Sequence, residues 1–192
     1  MKRRVLITIN ILIIIISITI CLRRSIFYFN EEDTFMTISS ILMILLPLSI
    51  YVLEKIIKKE IGEIVKLIFL SFVLAAGVLG AIGDLYNKIA YYDKIVHFAS
   101  GVLISLFTMY LYESFYKKKL NKKIAFLIMV ISNIAIASLW EIFEFLFDIL
   151  FEKNAQKGNT DTMLDMIAAI TGGIITFLPW VLIKSNKEPT SI

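Results

Sequence analysis

Long apolar stretches separated by short polar connections make up almost the whole chain. Spanning about 30 Å of hydrocarbon takes about 20 apolar residues. Stretches close to that length lie at residues 5–22, 35–53, 64–83, 95–112, 124–151 and 163–183. Only complete helices satisfy their backbone polar groups within one segment, and the alternating ten-residue pattern of membrane β-barrels is missing from the sequence. The pattern therefore predicts an all-α bundle of six transmembrane helices, forming a single domain over residues 1–192.

The composition agrees with a membrane protein rather than a soluble one. Hydrophobic residues make up 58% of the chain and charged residues 19%, whereas soluble domains are nearer half and a quarter. Cys21 is the single cysteine, so no disulfide framework is expected. The net charge of +4 is spread over short loops. The sequence therefore predicts no nucleic-acid partner and indicates no protein partner, and membrane lipids are the expected surroundings.

The lysines and arginines of the connections predict the orientation of the bundle. Most of them lie at the N-terminus, after the second and fourth spans and in the C-terminal tail, including Lys117, Lys118, Lys119, Lys122 and Lys123. Short cytoplasmic loops carry such an excess, so both termini are expected to be cytoplasmic. Arg23 and Arg24 lie on the opposite side and conflict with this placement of the first span.

Under this topology, acidic residues from the ends of the third to sixth spans gather at the outward face. They are Asp84, Asp93, Glu141, Glu144, Asp148, Asp161 and Asp165, and the one histidine, His97, lies among them. A charge inside a membrane helix costs roughly 2.5–3.5 kcal/mol on insertion scales, so such groups usually face a partner, water or a cation. The sequence thus predicts a polar pocket at this face.

Helical spacing places the acids of each span on a shared face. Asp93 precedes His97 by four residues, Asp161 precedes Asp165 by four, and Glu141 precedes Glu144 by three. If the fifth span enters the hydrocarbon near residue 124, about 20 residues at 1.5 Å each bring it out just after Glu141. The pocket is therefore expected at the membrane interface, a depth that suits a lipid headgroup better than a permeating ion.

Three polar motifs carry a resemblance to a known family. They are YDKIVHF at residues 92–98 with Gly101, LWEIFEF at residues 139–145 with Asp148, and QKGNTDTMLD at residues 156–165. Together they resemble the YjdF-like family of bacterial inner-membrane proteins, over roughly residues 80–173. The DK-x-x-HF element is also similar to the wider VanZ-like group, which is linked to glycopeptide tolerance. The resemblance implies a multi-pass protein of the bacterial inner membrane and no particular chemistry.

Two interpretations of the polar residues stay open. In the first, Asp93, His97, Glu141, Glu144, Asp161 and Asp165 hold one or two divalent cations, with His97, Glu141 and Glu144 as candidate catalytic groups. Carboxylates with one imidazole suit Mg²⁺, Mn²⁺ or Zn²⁺, and the excess of oxygen favours the harder ions. In the second, His97 only hydrogen-bonds Asp93, the acids pair with nearby lysines, and Asp161 caps a helix.

Three functions fit this pattern. The first is a metal-dependent enzyme acting on the headgroup of a phospholipid or polyprenyl phosphate. The second is a non-catalytic lipid- or drug-interacting protein that alters antibiotic tolerance of the envelope. The third, cation or proton transport, ranks last because the inner halves of the helices offer little beyond Ser132 and Asn133. Small residues should serve close helix packing, namely Gly77, Gly80, Gly83, Ala168, Ala169, Gly172 and Gly173.

The orientation can be tested by labelling single cysteines in intact cells. In a Cys21→Ser background, cysteines replacing Asn87 and Asn159 should react with an impermeant thiol reagent, because both positions are expected outside. A cysteine replacing Asn121 should react only after the membrane is permeabilised. Labelling of the Asn121 position alone in intact cells would reverse the topology and move the acidic pocket to the cytoplasmic face.

Overall fold

The computed structural model describes residues 3–115 and 121–185, and it is helical throughout, with no strand in these two ranges. The helices are α1 Arg3–Asn30, α2 Thr34–Met43, α3 Ser49–Ile57, α4 Glu63–Val73, α5 Leu85–Lys88, α6 Tyr92–Phe115, α7 Lys122–Phe151 and α8 Asn159–Ser185. A 3₁₀ turn, Leu46–Leu48, precedes α3, and a π-helix, Leu74–Ile82, extends α4. The predicted all-α class is confirmed.

Six helical segments are long and apolar enough to cross a membrane. They are Arg3–Asn30, Thr34–Ile57, Glu63–Ile82, Tyr92–Glu113, Lys122–Phe151 and Asn159–Pro179. The second is interrupted where Pro47 opens the 3₁₀ turn, because proline has no N–H to continue an α-helical ladder. The orientation stays a prediction, and Lys2, Lys117, Lys118, Lys119 and Lys187, on which it partly rests, lie outside the described residues.

The Cα positions group into two compact units, Met1–Val96 and His97–Ile192. The boundary falls inside the continuous helix α6, one residue before His97. The single-domain assignment stays a prediction, and the two units are described separately below.

The first unit buries an unusually polar face of α1. Asn10, Ser17, Cys21 and Ser25 lie on this face and are buried, while the isoleucines of the other faces are exposed as expected for lipid contact. The turn between α3 and α4 is held by charge, since the buried Lys66 ammonium lies 3.0 Å from Glu54 and 3.3 Å from Glu63. Fixed hydrogen bonds and ion pairs therefore join the helices of this unit.

Arg24, which conflicts with the predicted orientation, has a structural role in the first unit. Its Nε donates to the carbonyl of Ile82 at 3.0 Å, and the hydroxyl of Tyr28 donates to the same oxygen at 2.9 Å. Ile82 ends the π-helix, where carbonyl groups lack intrahelical partners. Arg24 therefore satisfies a helix end within the first unit, and its conflict with the predicted orientation stands.

The second unit is a three-helix arrangement of α6, α7 and α8 built on close contacts between small residues. A Cβ at Gly101 of α6 would overlap the carbonyl oxygen of Ala169 in α8, and one at Gly172 would overlap that of Phe98. The two backbones are thus in direct contact, which confirms the packing role predicted for Ala169 and Gly172. Such small-residue contacts are a common means of helix association in membranes.

The buried positions of this unit repeat every four residues on each helix and define layers, and the half-buried Phe177 completes the third layer on α8. Each layer takes one residue from α6, α7 and α8, in that order. The first layer is Gly101, Ala137 and Ala169. The second is Ser105, Asn133 and Gly173, and the third is Met109, Met129 and Phe177. The Asn133 amide donates to Ser105 Oγ at 2.8 Å and fills the space beside Gly173, and the third layer packs as one apolar cluster. These contacts fix α6 and α8 as parallel to each other and antiparallel to α7.

Gly101 provides a test of this packing. Gly101→Ala should destabilise the protein by about 1–3 kcal/mol or more, because an added methyl group has to push α6 away from α8. Gly62→Ala should cost less, since nothing lies within 4 Å of a Cβ there and only the preference of the α4 N-cap for glycine over alanine is lost. Unfolding of both variants in the same detergent would measure the difference, and equal stability of the two would contradict the backbone contact.

Candidate metal centre

Three of the predicted site residues lie together on α6 and α8. Asp93, His97 and Asp165 each offer one ligand atom, and these atoms all lie within 4.8 Å of one another. His97 Nε2 and Asp165 Oδ1 are 3.8 Å apart, too far for a hydrogen bond between these two atoms. Ligands about 2.0–2.2 Å from one cation lie at most about 4.4 Å apart, so this separation fits two ligands of one ion.

The packing of α6 on α8 positions this group. His97 is one turn before Gly101, and Asp165 is one turn before Ala169, so both side chains lie directly above the backbone contact. Both are buried, with Asp165 only 1% exposed. Asp93 is one turn earlier on α6, where its carboxylate lies 3.5 Å from Lys94 Nζ and is less deeply buried. Burial therefore increases within this group from the partly exposed carboxylate of Asp93 to the fully buried carboxylate of Asp165.

Helix register places Glu141 at the level of His97 and Asp165. Glu141 follows Asn133 on α7 by eight residues, or about 12 Å. His97 and Asp165 each precede their partners in the Asn133 layer, Ser105 and Gly173, by the same distance. Glu141 is buried, 5% exposed. We call His97, Glu141 and Asp165 the ionisable layer, although the ligand atoms of Glu141 lie outside the 4.8 Å group.

Glu144 and Asp161 occupy more peripheral positions. Glu144 accepts a hydrogen bond of 2.8 Å from the indole N–H of the exposed Trp140, one turn earlier on α7. Asp161 lies in the first turn of α8, one turn before Asp165. Neither belongs to the 4.8 Å group of the described residues. The structure thus gathers half of the predicted ligand set tightly and leaves Glu144 and Asp161 at the margin.

Two further acids serve local backbone structure. Asp148 accepts hydrogen bonds from the backbone N–H groups of Ala155 and Gln156, at 2.6 and 2.9 Å, and so ties down the loop after α7. Asp84 accepts a hydrogen bond from Asn87 and pairs with Lys88 in the short connection before α6. Their charges are used in loops, so the outward acids do not all belong to one pocket.

The ligand atoms of the central group suit a cation. Asp93, Asp165 and Glu141 bring three carboxyl groups to two adjacent turns, and Lys94 lies beside Asp93. Charges buried in a membrane protein are paired or bound to ions, because an isolated buried charge is very costly. Two or three carboxylate oxygens with one imidazole nitrogen form a ligand set for Mn²⁺, Mg²⁺ or Zn²⁺.

The first unit contains a buried ion-pair cluster, separate from the candidate metal centre, that the sequence did not predict. The sequence places Lys66 just inside the third span, among the lysines expected on the cytoplasmic side, yet it is 5% exposed and lies between Glu54 and Glu63. The Asn10 amide donates to Glu63 at 3.0 Å, and Glu54 accepts the backbone N–H of Ile61 at 2.7 Å. The three-residue spacing of Glu63 and Lys66 was a visible signal for one of these pairs.

Six spanning helices, with polar side chains buried between them, define a multi-pass integral membrane protein. The chain belongs to the DUF2238 family of predicted membrane proteins, whose family model matches residues 6–186.

A relative from Thermotoga maritima, described as an uncharacterized protein, is 40% identical over 130 residues. The match covers 64% of this chain, and the chain spans 64% of the length of that relative. No solved structure matches the chain.

The turn around Asp84 predicts a pH effect on stability. The hydrogen bond from Asn87 and then the Lys88 ammonium lower the pKa of Asp84 from its ordinary value of 3.8. A lowered pKa in the folded state contributes stability above the unfolded value, and this contribution is lost as the pH falls through the folded value.

Asp84→Asn removes the charge, and asparagine tolerates the left-handed backbone found at this position, with φ of 68°. The wild type should be more stable than this variant near neutral pH, and the difference should shrink below about pH 4. Thermal melts of both proteins across this range measure it. A difference that stays constant from neutral to acid pH would contradict a role for the Asp84 charge.

Proposed function

We propose that this protein is a metal-dependent membrane enzyme that acts on the phosphorylated headgroup of a lipid. The observation that carries the proposal is the convergence of Asp93, His97 and Asp165 within 4.8 Å. Glu141 lies at the same level of the bundle and is a further candidate ligand. A cation held there would polarise a phosphoryl oxygen and lower the pKa of a bound water.

The depth of the group supports a lipid substrate. His97 lies five residues after the start of α6, and Asp165 six residues after the start of α8, which is about 8–9 Å along each helix. This is near a membrane boundary rather than the centre of about 30 Å of hydrocarbon. A lipid phosphate occupies this depth without leaving the bilayer, and Lys94 beside Asp93 supplies a positive charge for it.

The family context is compatible with this proposal but does not specify a reaction. The resemblance to the YjdF-like group implies a membrane protein, and the family whose model matches the chain is one of predicted membrane proteins. The VanZ-like resemblance has no support from the comparisons, so the link to glycopeptide tolerance carries no weight. Residence in a bacterial inner membrane and cytoplasmic termini remain part of the proposal. A non-catalytic lipid-interacting protein is the competing function.

Cation binding can be measured by thermal stability, because a ligand that binds only the folded state raises its melting temperature. Mn²⁺ or Mg²⁺ should raise the melting temperature of the purified protein, and a chelator should reverse the rise. Asp165→Asn should lose most of the response. Asp148→Asn is the matched control and should keep it, since that carboxylate binds loop backbone groups.

The same proteins, reconstituted in vesicles, test for turnover. Wild type with Mn²⁺ or Mg²⁺ should release a headgroup product from phosphatidic acid, phosphatidylglycerol or a polyprenyl phosphate, and Asp165→Asn should not. No metal response in folded wild type would refute the metal centre. A metal response with every one of these lipids left intact would instead favour the non-catalytic function.

A further inference from the structure

Thr162 lies beside the candidate metal centre and has no role in the fold described so far. It precedes Asp165 by three residues on α8, so the two side chains share one face of the helix. Both are buried, and Thr162 is 8% exposed. Its position at the start of α8 suggests a helix cap from sequence alone. However, α8 begins three residues earlier, at Asn159, so Thr162 is inside the helix.

The hydroxyl of Thr162 is buried and has no hydrogen-bond partner among the described residues. Threonines inside helices commonly donate to the carbonyl four residues earlier. Four others in this chain do so, namely Thr8, Thr19, Thr37 and Thr176. The corresponding carbonyl for Thr162 is that of Gly158, and it accepts the backbone N–H of Thr162 at 3.1 Å rather than its hydroxyl.

A buried hydroxyl without a partner is unfavourable, so this one is expected to meet a group that the described part of the chain does not provide. The neighbouring side chains on the buried face of α8 indicate what that group is. Asp165 is one turn away, and Asp165 is within 4.8 Å of ligand atoms of His97 and Asp93. A buried hydroxyl oxygen on the same helix face as these carboxylates and this imidazole suits a cation, because its lone pairs are not used in a hydrogen bond.

We propose that the Thr162 hydroxyl is a direct oxygen ligand of the cation held by Asp93, His97 and Asp165, and that it shifts the selectivity of the site from Zn²⁺ toward Mn²⁺ or Mg²⁺. The proposal rests on the metal centre of the proposed function. Zn²⁺ favours four ligands rich in nitrogen and sulfur. Mg²⁺ takes six oxygen-rich ligands, and threonine hydroxyls bind it in nucleotide-binding loops.

The experiment is a Mn²⁺ titration of the full chain in detergent, with unbound Mn²⁺ measured by electron paramagnetic resonance. Thr162→Val keeps the side-chain shape and removes the hydroxyl, whereas Thr162→Ser keeps the hydroxyl. Thr176→Val is the matched control, because its hydroxyl is already bonded to the Gly172 carbonyl at 2.8 Å on the same helix. Competition by Zn²⁺ is measured for each protein.

Thr162→Val should raise the Kd for Mn²⁺ about 10-fold or more, a change of the size seen when supporting groups of metal sites are removed. The same substitution should weaken Zn²⁺ binding less, so the ratio of the Mn²⁺ affinity to the Zn²⁺ affinity should fall. Thr162→Ser and Thr176→Val should bind Mn²⁺ as the wild type does. Serine keeps the hydroxyl oxygen and loses only the methyl group. Normal Mn²⁺ binding by this variant would therefore distinguish a role of Thr162 as a metal ligand from a role in packing.

Unchanged Mn²⁺ affinity in Thr162→Val would overturn the proposal while leaving the metal centre intact. Equal losses in the serine and valine variants would also overturn it, since they would indicate a packing role. If the wild type binds neither Mn²⁺ nor Zn²⁺, the metal centre itself fails, and the assignment of Thr162 fails with it.

Discussion

The direct backbone contact between α6 and α8 is the constraint on which the second unit depends. Gly101 and Gly172 allow each helix to approach a carbonyl oxygen of the other. One turn before this contact on each helix, His97 Nε2 and Asp165 Oδ1 lie 3.8 Å apart. Larger residues at the contact would separate the helices, and the candidate metal centre would widen with them. The site geometry is therefore set by residues that carry no chemistry themselves.

This arrangement combines an unfavourable feature with a favourable one. Burying acidic groups in a membrane helix is costly, and close packing of α6 on α8 forces them together as well. In the proposed function, a divalent cation would neutralise these carboxylates and offset part of the cost of burying them. The packing that brings the acidic groups together would then also form the binding site.

Much of the fold follows from the sequence because membrane helices have a strong and simple signal. All six spanning helices are recognisable from apolar length, and the small residues that bring α6 and α8 together are visible as Ala169 and Gly172. The shared face of Asp93 and His97 also follows from spacing alone. These features depend only on positions within one helix or on composition.

The identity of the converging acids could not be predicted, because it depends on register between helices. Glu141 and Glu144 differ by three residues, yet one is buried in the ionisable layer and the other bonds the exposed Trp140. Asp148 looked like a member of the pocket until its hydrogen bonds to the loop backbone were seen. Thr162 looked like part of a helix cap, and it is distinguished only by its buried hydroxyl, which has no hydrogen-bond partner among the described residues.

The small-residue layer of Gly101, Ala137 and Ala169 has a consequence for access. It lies directly below the ionisable layer and is closed by backbone contact, and the layer of Met109, Met129 and Phe177 lies further along the same axis. Below the ionisable layer, α6 and α8 are therefore in direct backbone contact. In the proposed function, a substrate would approach His97 and Asp165 from the end of α6 that carries Asp93, and the reaction would take place on a single side of the membrane.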